Sequence, residues 1–310
     1  MRILLIGATG FIGSALLDFL ALKQEVQIDA LLHKSIPQKK LDGVRYKTLS
    51  YTHIDLSFLQ EGNYDYIFHL GRISVKKSGN IGRWYAGKKG RKANENLLQN
   101  IDKLPKKPKL IYLSGSLMYG DHQKKLMDED TPLSPTGFAK YYYKAEQPFL
   151  DAIKNGAENI ILLRAPWVLG LGSWFDQIYL NHIDKNGSAP IYGDKDRAMS
   201  IISLEDCAGM LWHYAQNAEK GGVFNIYTYQ KVLLKDFVNL TAKAAGVNKV
   251  EHYPKYTLKK MADKTTIRSI LCEILLDTKH KDIFNAYTPL YQDLEDYIIY
   301  TIKKYDARKH

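Results

Sequence analysis

Long apolar runs, paired cysteines and clustered metal ligands are what this 310-residue chain lacks. No stretch approaches the ~18–20 consecutive apolar residues that a membrane helix needs. Met1-Arg2 leads straight into Ile3-Leu4-Leu5-Ile6 without the small-residue cleavage site of a secretory leader, so a cytoplasmic protein with no membrane engagement is the expectation. The two cysteines, Cys207 and Cys272, lie far apart in no ligand or CxxC spacing, which excludes a disulfide framework and leaves reduced core thiols. His252, His280 and His310 show no pairing that suggests zinc, and no metal site is expected.

Acidic residues are also short: 33 against 44 Lys and Arg, a net charge of +11. Such an excess suits a nucleic acid or an anionic small molecule. Lysine pairs recur at 39–40, 76–77, 88–89, 106–107, 124–125, 259–260 and 303–304, the scatter of a solvated surface rather than a binding stripe. With no aromatic-basic motif of the RNA-recognition or zinc-finger kind, nucleic acid is not expected. One window stands apart: Arg72 to Lys92 holds eight basic residues and no acid, punctuated by Gly79, Gly82, Gly87 and Gly90. Its lysines read equally as anion ligands or as a solvated loop.

What is present is alternation. Ile3–Ile6 is a short apolar run ended by glycine, and apolar residues at 12, 15, 16, 19 and 20 come after it at helical spacing. Further strand candidates are Val26–Leu32, Val44–Leu49, Tyr66–Leu70, Leu110–Leu113, Ile160–Leu163 and Val223–Tyr227, separated by stretches long enough for helices. The reading is an α/β fold, a Rossmann-type doubly wound parallel sheet covered on both faces. At this length a smaller partner domain is expected beside it.

Between the first strand and helix stands Gly7-Ala8-Thr9-Gly10-Phe11-Ile12-Gly13, a GxxGxxG loop. A dinucleotide's pyrophosphate sits against backbone N–H groups at a helix N-terminus, where side chains would block its approach. Gly7, Thr9, Gly10, Phe11, Ile12 and Gly13 are therefore expected to bind NAD or NADP. A carboxylate at the tip of the second strand serves the ribose of NAD, a cation the 2′-phosphate of NADP. His33 and Lys34 stand there, and the nearby acid Asp29 falls inside the strand, so NADP is expected, with NAD as the alternative.

From this point the chain resembles the extended short-chain dehydrogenase/reductase family of sugar-nucleotide epimerases, dehydratases and keto-reductases, over nearly its whole length. Tyr64-Asp65-Tyr66-Ile67-Phe68-His69-Leu70-Gly71 looks like that family's fourth strand, and Leu113-Ser114-Gly115-Ser116-Leu117-Met118-Tyr119-Gly120 like its fifth. Glu129-Asp130-Thr131-Pro132 with Ser134-Pro135, then Arg164-Ala165-Pro166 with Gly170, Glu205-Asp206 and Phe224-Asn225-Ile226 come in the family's order. The resemblance implies a Rossmann domain over 1–166 with a return segment near 201–228, and a smaller α+β substrate domain from about 167–200 and 229–310. It places Leu70, Gly71, Arg72, Lys140 and Pro166 beside the cofactor, and Trp167, Trp174, Arg197 and Met199 in segments lining the substrate domain. It implies an anionic small-molecule substrate, a nucleotide sugar, and is compatible with a homodimer.

The family's chemistry rests on a Tyr-x-x-x-Lys pair and a Ser or Thr: the phenol transfers a proton and the lysine one turn away supports it. This sequence departs there. Ser134-Pro135-Thr136-Gly137-Phe138-Ala139-Lys140 aligns without gaps on Ser-Pro-Tyr-Gly-x-Ser-Lys, putting Thr136 in the tyrosine's place and Lys140 in the lysine's. Gly115 falls where the hydroxyl belongs, flanked by Ser114 and Ser116. The candidate catalytic groups are therefore Lys140, Thr136, Ser116, Ser114 and Tyr141, the last leading a Tyr141-Tyr142-Tyr143 run that reads equally as helix surface. Three readings are open: an oxidoreductase, epimerase or dehydratase in which another group supplies the proton; a cofactor-binding sensor or scaffold without catalysis; and a reaction that needs no phenol.

Overall fold

The computed structural model describes residues 1–33, 40–73 and 79–309. Among them, in chain order, are β1 (Arg2–Ile6), α1 (Phe11–Ala21), β2 (Gln27–Leu32), β3 (Val44–Thr48), α2 (Leu56–Gly62), β4 (Tyr66–His69), α3 (Gly79–Asp102) and β5 (Lys109–Gly115). Next come α4 (Ala139–Lys154), β6 (Ile160–Ala165), β7 (Trp167–Leu169), α5 (Asn181–Asn186), β8 (Ala189–Tyr192), β9 (Ala198–Ser203), α6 (Leu204–Asn217) and β10 (Gly222–Asn225). The chain closes with β11 (Tyr229–Leu233), α7 (Leu234–Ala244), β12 (Val250–Tyr253), α8 (Lys264–Leu271), α9 (Lys281–Asn285) and α10 (Leu294–Ala307).

Two compact units divide these elements: residues 1–115, 139–164 and 208–224 form the first, and 116–138, 165–207 and 225–310 the second. The segment 116–138, which the sequence suggests belongs to the nucleotide-binding half, lies in the second unit.

The first unit is built on a seven-stranded sheet in the order β10-β6-β5-β4-β1-β2-β3. Every strand candidate singled out in the sequence becomes one of its strands. β1 pairs parallel with β2 and β4, β2 with β3, and β4 with β5. Ile3, Leu4, Leu5 and Ile6 are at most 1% exposed, as befits a strand covered by helices on both faces. One core layer gathers Leu4, Ile6, Ile67, Leu97, Leu110 and Phe149. The chain lays β2 and β3 to one side of β1, then crosses back to lay β4 and β5 on the other, so the strand order reverses beside β1. Ligands of such sheets bind beyond the strands' carboxyl ends at that reversal.

The acid-free window is helix from Gly79 onward. Gly82, Ala86, Gly87, Gly90, Ala93, Asn94 and Leu97 form its buried stripe, while Lys88, Lys89, Arg91 and Lys92 are exposed. The glycines therefore let α3 approach α4 closely: a Cβ on Gly87 would lie 2.0 Å from the Tyr141 carbonyl oxygen, and one on Gly90 3.0 Å from Ala145 Cβ. The second unit holds the sheet β11-β9-β7 and the pair β12-β8, with a core of its own around Phe175, Phe237, Tyr297 and Ile298.

Candidate cofactor and active site

The loop between β1 and α1 is shaped by its glycines. Gly7 has φ +91°, and a Cβ there would lie 2.8 Å from both the Leu70 carbonyl carbon and the Gly71 nitrogen. A Cβ on Gly13 would lie 2.0 Å from the Gly7 oxygen. Gly10 differs: its N–H donates to Gly7 O at 2.9 Å, but its Cβ position meets only that oxygen, at 3.2 Å. Thr9 and Gly10 are exposed, no side chain caps α1, and its first turn holds no acid. The first N–H groups of an eleven-residue helix thus have no side-chain cap at its positive end, an arrangement that fits a pyrophosphate. When bound, a nicotinamide cofactor supplies a centre that gives or takes hydride.

Beyond β2, His33 is exposed, and Lys34 lies outside the described residues. Asp29 is fully buried within β2 and accepts from Tyr64 Oη at 2.6 Å and Arg45 Nε at 2.6 Å, with Lys47 Nζ at 3.2 Å. Burial raises its pKa, but these three partners more than offset that and hold the carboxyl below its ordinary range. Asp29 is committed to bracing β2 against β3.

β4 ends in His69, and Leu70, Gly71 and Arg72 come directly after it. His69 is 0% exposed; its Nε2 lies 2.8 Å from Asn94 Oδ1, and Asn94 Nδ2 donates to Ala145 O at 2.7 Å. That second bond fixes Asn94 Oδ1 as the acceptor, so His69 carries its proton on Nε2. Burial lowers its pKa to about 4. His69 is thus a neutral brace joining β4, α3 and α4, with Tyr51, Tyr112 and Phe149 edge-on around it. Gly71 packs on Ile6, so the two glycine turns lie against each other.

At the carboxyl end of β5, Ser114 Oγ donates to Glu146, whose other oxygen accepts from Arg164 Nη2 at 2.6 Å. Glu146 and Arg164 are 0% and 2% exposed, a buried pair that α4 and β6 bring together. Glu146 was not among the residues the sequence singled out; an acid one turn beyond Tyr142 inside an apolar stripe is the signal that marks it.

On α4 the stripe Ala139, Ala145, Glu146 and Phe149 is buried. Tyr142 falls on that side, half-buried, with the Arg72 guanidinium 4.1 Å from its ring centre. Lys140 is exposed, and two residues on a helix point about 200° apart. Tyr141 lends its carbonyl to the contact with Gly87.

The remaining sequence candidates lie in the second unit. Ser116 is 4% exposed in a 3-10 turn, Ser116–Met118, and Thr136 N–H donates to Leu117 O at 3.2 Å, so the two sit on adjacent stretches. Phe138 N–H donates to Ser269 Oγ at 3.0 Å, which anchors the approach to α4. Tyr119 is fully buried, its hydroxyl donating to Asn225 Oδ1 at 2.7 Å, and Pro166 is half-buried. Trp174 donates Nε1–H to Val168 O at 2.8 Å and meets Trp167 at 5.1 Å; Arg197 and Met199 are buried.

With this geometry in place, a family model described as "NAD dependent epimerase/dehydratase family" matches residues 3–227. The chain belongs to that family. It is 24% identical over 236 residues to a GDP-6-deoxy-D-talose 4-dehydrogenase of Aggregatibacter actinomycetemcomitans, covering 74% of each chain. Among solved structures, UDP-glucose 4-epimerase of Thermotoga maritima with UDP-glucose is similar at a TM-score of 0.80 and 18% identity, covering 100% of both chains. A human epimerase family protein with NADPH matches at a TM-score of 0.77 and 18% identity, covering 98% of this chain and 99% of that one. Among the described residues, no helix is long and apolar enough to cross a membrane.

Proposed function

We propose that the protein is a nicotinamide-dependent oxidoreductase, epimerase or dehydratase acting at a hydroxyl or carbonyl carbon of a nucleotide-linked sugar. The observation that carries this is the turn Gly7–Gly13: its glycines bring the loop against Gly71 and leave the α1 N-terminus uncapped and exposed. Relatives in the family act on nucleotide sugars, the dehydrogenase and the 4-epimerase by their names. The cofactor is NADP in preference to NAD, because Asp29 is sequestered and the tip of β2 presents His33, which Lys34 follows in the sequence. The site is atypical: Thr136 stands in the alignment where the family's tyrosine belongs, and a threonine hydroxyl is too weak an acid for efficient proton transfer near neutral pH. Thr136 and Ser116 hydrogen-bond a substrate oxygen, and Arg72 meets phosphate oxygens.

A second reading, a cofactor-binding sensor without turnover, draws on the exposure of Lys140. Calorimetric titration with NADPH, NADH, UDP-glucose and GDP-mannose, and then a search for hydride transfer, separates the two. Cofactor and sugar binding with transfer supports the enzyme, and binding without transfer supports the sensor. Failure to bind either cofactor overturns both, and NADH binding at least as tightly as NADPH overturns the cofactor preference.

A further inference from the structure

We infer that Tyr142, held by Arg72, is the residue that transfers the proton, an assignment that rests on the proposed enzymatic function. The register between α4 and β5 fixes where Tyr142 lies. Phe149 stacks on Tyr112 at 4.3 Å between ring centres, and Glu146 accepts from Ser114, so moving toward the N-terminus of α4 moves toward the carboxyl end of β5. Tyr142 is the next residue on the same stripe, about 6 Å further along the helix axis. That puts it past Gly115, where β5 ends, and on the side of the sheet where doubly wound folds take their ligands.

Arg72 reaches the same place from the end of β4. Its guanidinium sits 4.1 Å from the Tyr142 ring centre, and its charge is also felt at Tyr112, as is that of Glu146. The ends of β4 and β5 therefore converge on one phenol. Among the described residues no hydrogen-bond partner takes up the Tyr142 hydroxyl, unlike Tyr64 and Tyr119, whose hydroxyls are bonded to Asp29 and Asn225. Lys140, in contrast, points away from this side of α4.

In the reducing direction the Tyr142 O–H bond would break and its proton would form the new O–H bond on the substrate's carbonyl oxygen, while the hydride for the new C–H bond is the chemistry a reduced nicotinamide cofactor would supply when bound. The phenolate left behind is next to the Arg72 cation, a fixed charge placed where negative charge develops. In the oxidising direction each transfer reverses.

The test uses the full chain with NADP⁺ or NAD⁺ and UDP-glucose, UDP-N-acetylglucosamine and GDP-mannose, reading reduced cofactor by absorbance in single turnovers over a range of pH. Tyr142→Phe keeps the ring under Arg72 and removes only the hydroxyl, so calorimetric cofactor affinity should stay within about twofold while transfer falls by about 100-fold or more. Arg72→Ala should slow transfer about tenfold and displace its pH profile, and Tyr85→Phe, on the exposed face of α3, should match wild type. Nitration by tetranitromethane, mapped by peptide mass, should mark Tyr142 in the free protein and spare it once cofactor and sugar are bound. Transfer by Tyr142→Phe within about threefold of wild type, or a greater loss at Lys140→Ala, overturns this assignment alone. No transfer by the wild type with any sugar overturns the functional reading and the assignment with it.

Discussion

Gly7–Gly13 and Gly79–Gly90 are both punctuated by glycine, and the backbone uses the residue differently in each. In the first stretch glycine makes a turn possible: Gly7 holds φ +91° and rests on the next strand's exit at Gly71. In the second, Gly87 and Gly90 lie in regular helix and serve only to bring α3 against α4. The first stretch leaves the α1 N-terminus without a side-chain cap, and the second packs Gly87 and Gly90 against α4. Spacing alone does not separate the two uses; the atoms packed against each glycine do.

Gly13→Ala should have the largest effect, because its added carbon would meet the Gly7 oxygen at 2.0 Å with no flexible side chain to give way. We expect a loss of about 4 kcal/mol, at the far end of single-substitution effects, together with loss of cofactor binding, read by thermal unfolding and calorimetry. A loss under about 1 kcal/mol would mean that the turn is pliable.

Acid should come next, acting where α3 is tied to the sheet. His69 titrates at 6.5 when unfolded and at about 4 in the fold, so the unfolded chain binds the extra proton first. Its contribution is complete above pH 6.5 and is lost as pH falls from 6.5 towards 4, in total about 3 kcal/mol. Stability profiles of the wild type and His69→Phe should diverge in slope across that window; parallel profiles would assign the acid sensitivity elsewhere.

Gly87→Ala is the matching change in the second stretch. Alanine is the better helix former by about 1 kcal/mol, yet its Cβ would strike the Tyr141 carbonyl oxygen at 2.0 Å. We expect a net destabilisation of about 2 kcal/mol, typical of overpacking, with cofactor affinity little changed; stabilisation would show that the helices can part freely. Gly10→Ala sharpens the contrast most finely. Its nearest neighbour is the Gly7 oxygen at 3.2 Å, so stability should move by no more than about 0.5 kcal/mol, whereas cofactor affinity should fall about tenfold. Unaltered affinity would remove Gly10 from the pyrophosphate cradle.

Most of the seven sheet strands were legible as short apolar runs bounded by polar or turn residues, although β3 mixes Arg and Lys into its run, and the dinucleotide loop was legible because it stands between such a run and helical spacing. Strands β7, β8, β9, β11 and β12 were not read: Trp167–Leu169 is three residues long, and Tyr229–Leu233 mixes Gln and Lys into a half-exposed edge. Glycine's reputation as a loop residue obscured the start of α3. The side of α4 was harder still, since a gapless match at Lys140 says nothing of which way that residue points. Only the burial of Ala139, Ala145, Glu146 and Phe149 sets the helix's rotation. Glu146 and Arg164 are 18 residues apart and meet through tertiary structure alone.

The close seam between α3 and α4 also sets how this part of the chain can change under mutation. Lys88, Lys89 and Lys92 look outward and should exchange among polar residues one at a time, whereas Arg91 is tied to Glu95 and to Gln147 of α4. Gly87 cannot acquire a side chain unless α4 yields, and the carbonyl in its way belongs to Tyr141, the residue immediately before Tyr142. A saturation library over residues 79–95 should therefore show an open spectrum interrupted at intervals of about one helical turn, with Gly87 the most restrictive glycine. Any change accepted there would have to arrive with a compensating shift in α4, so the history of the helix surface and that of the tyrosines beneath it are coupled.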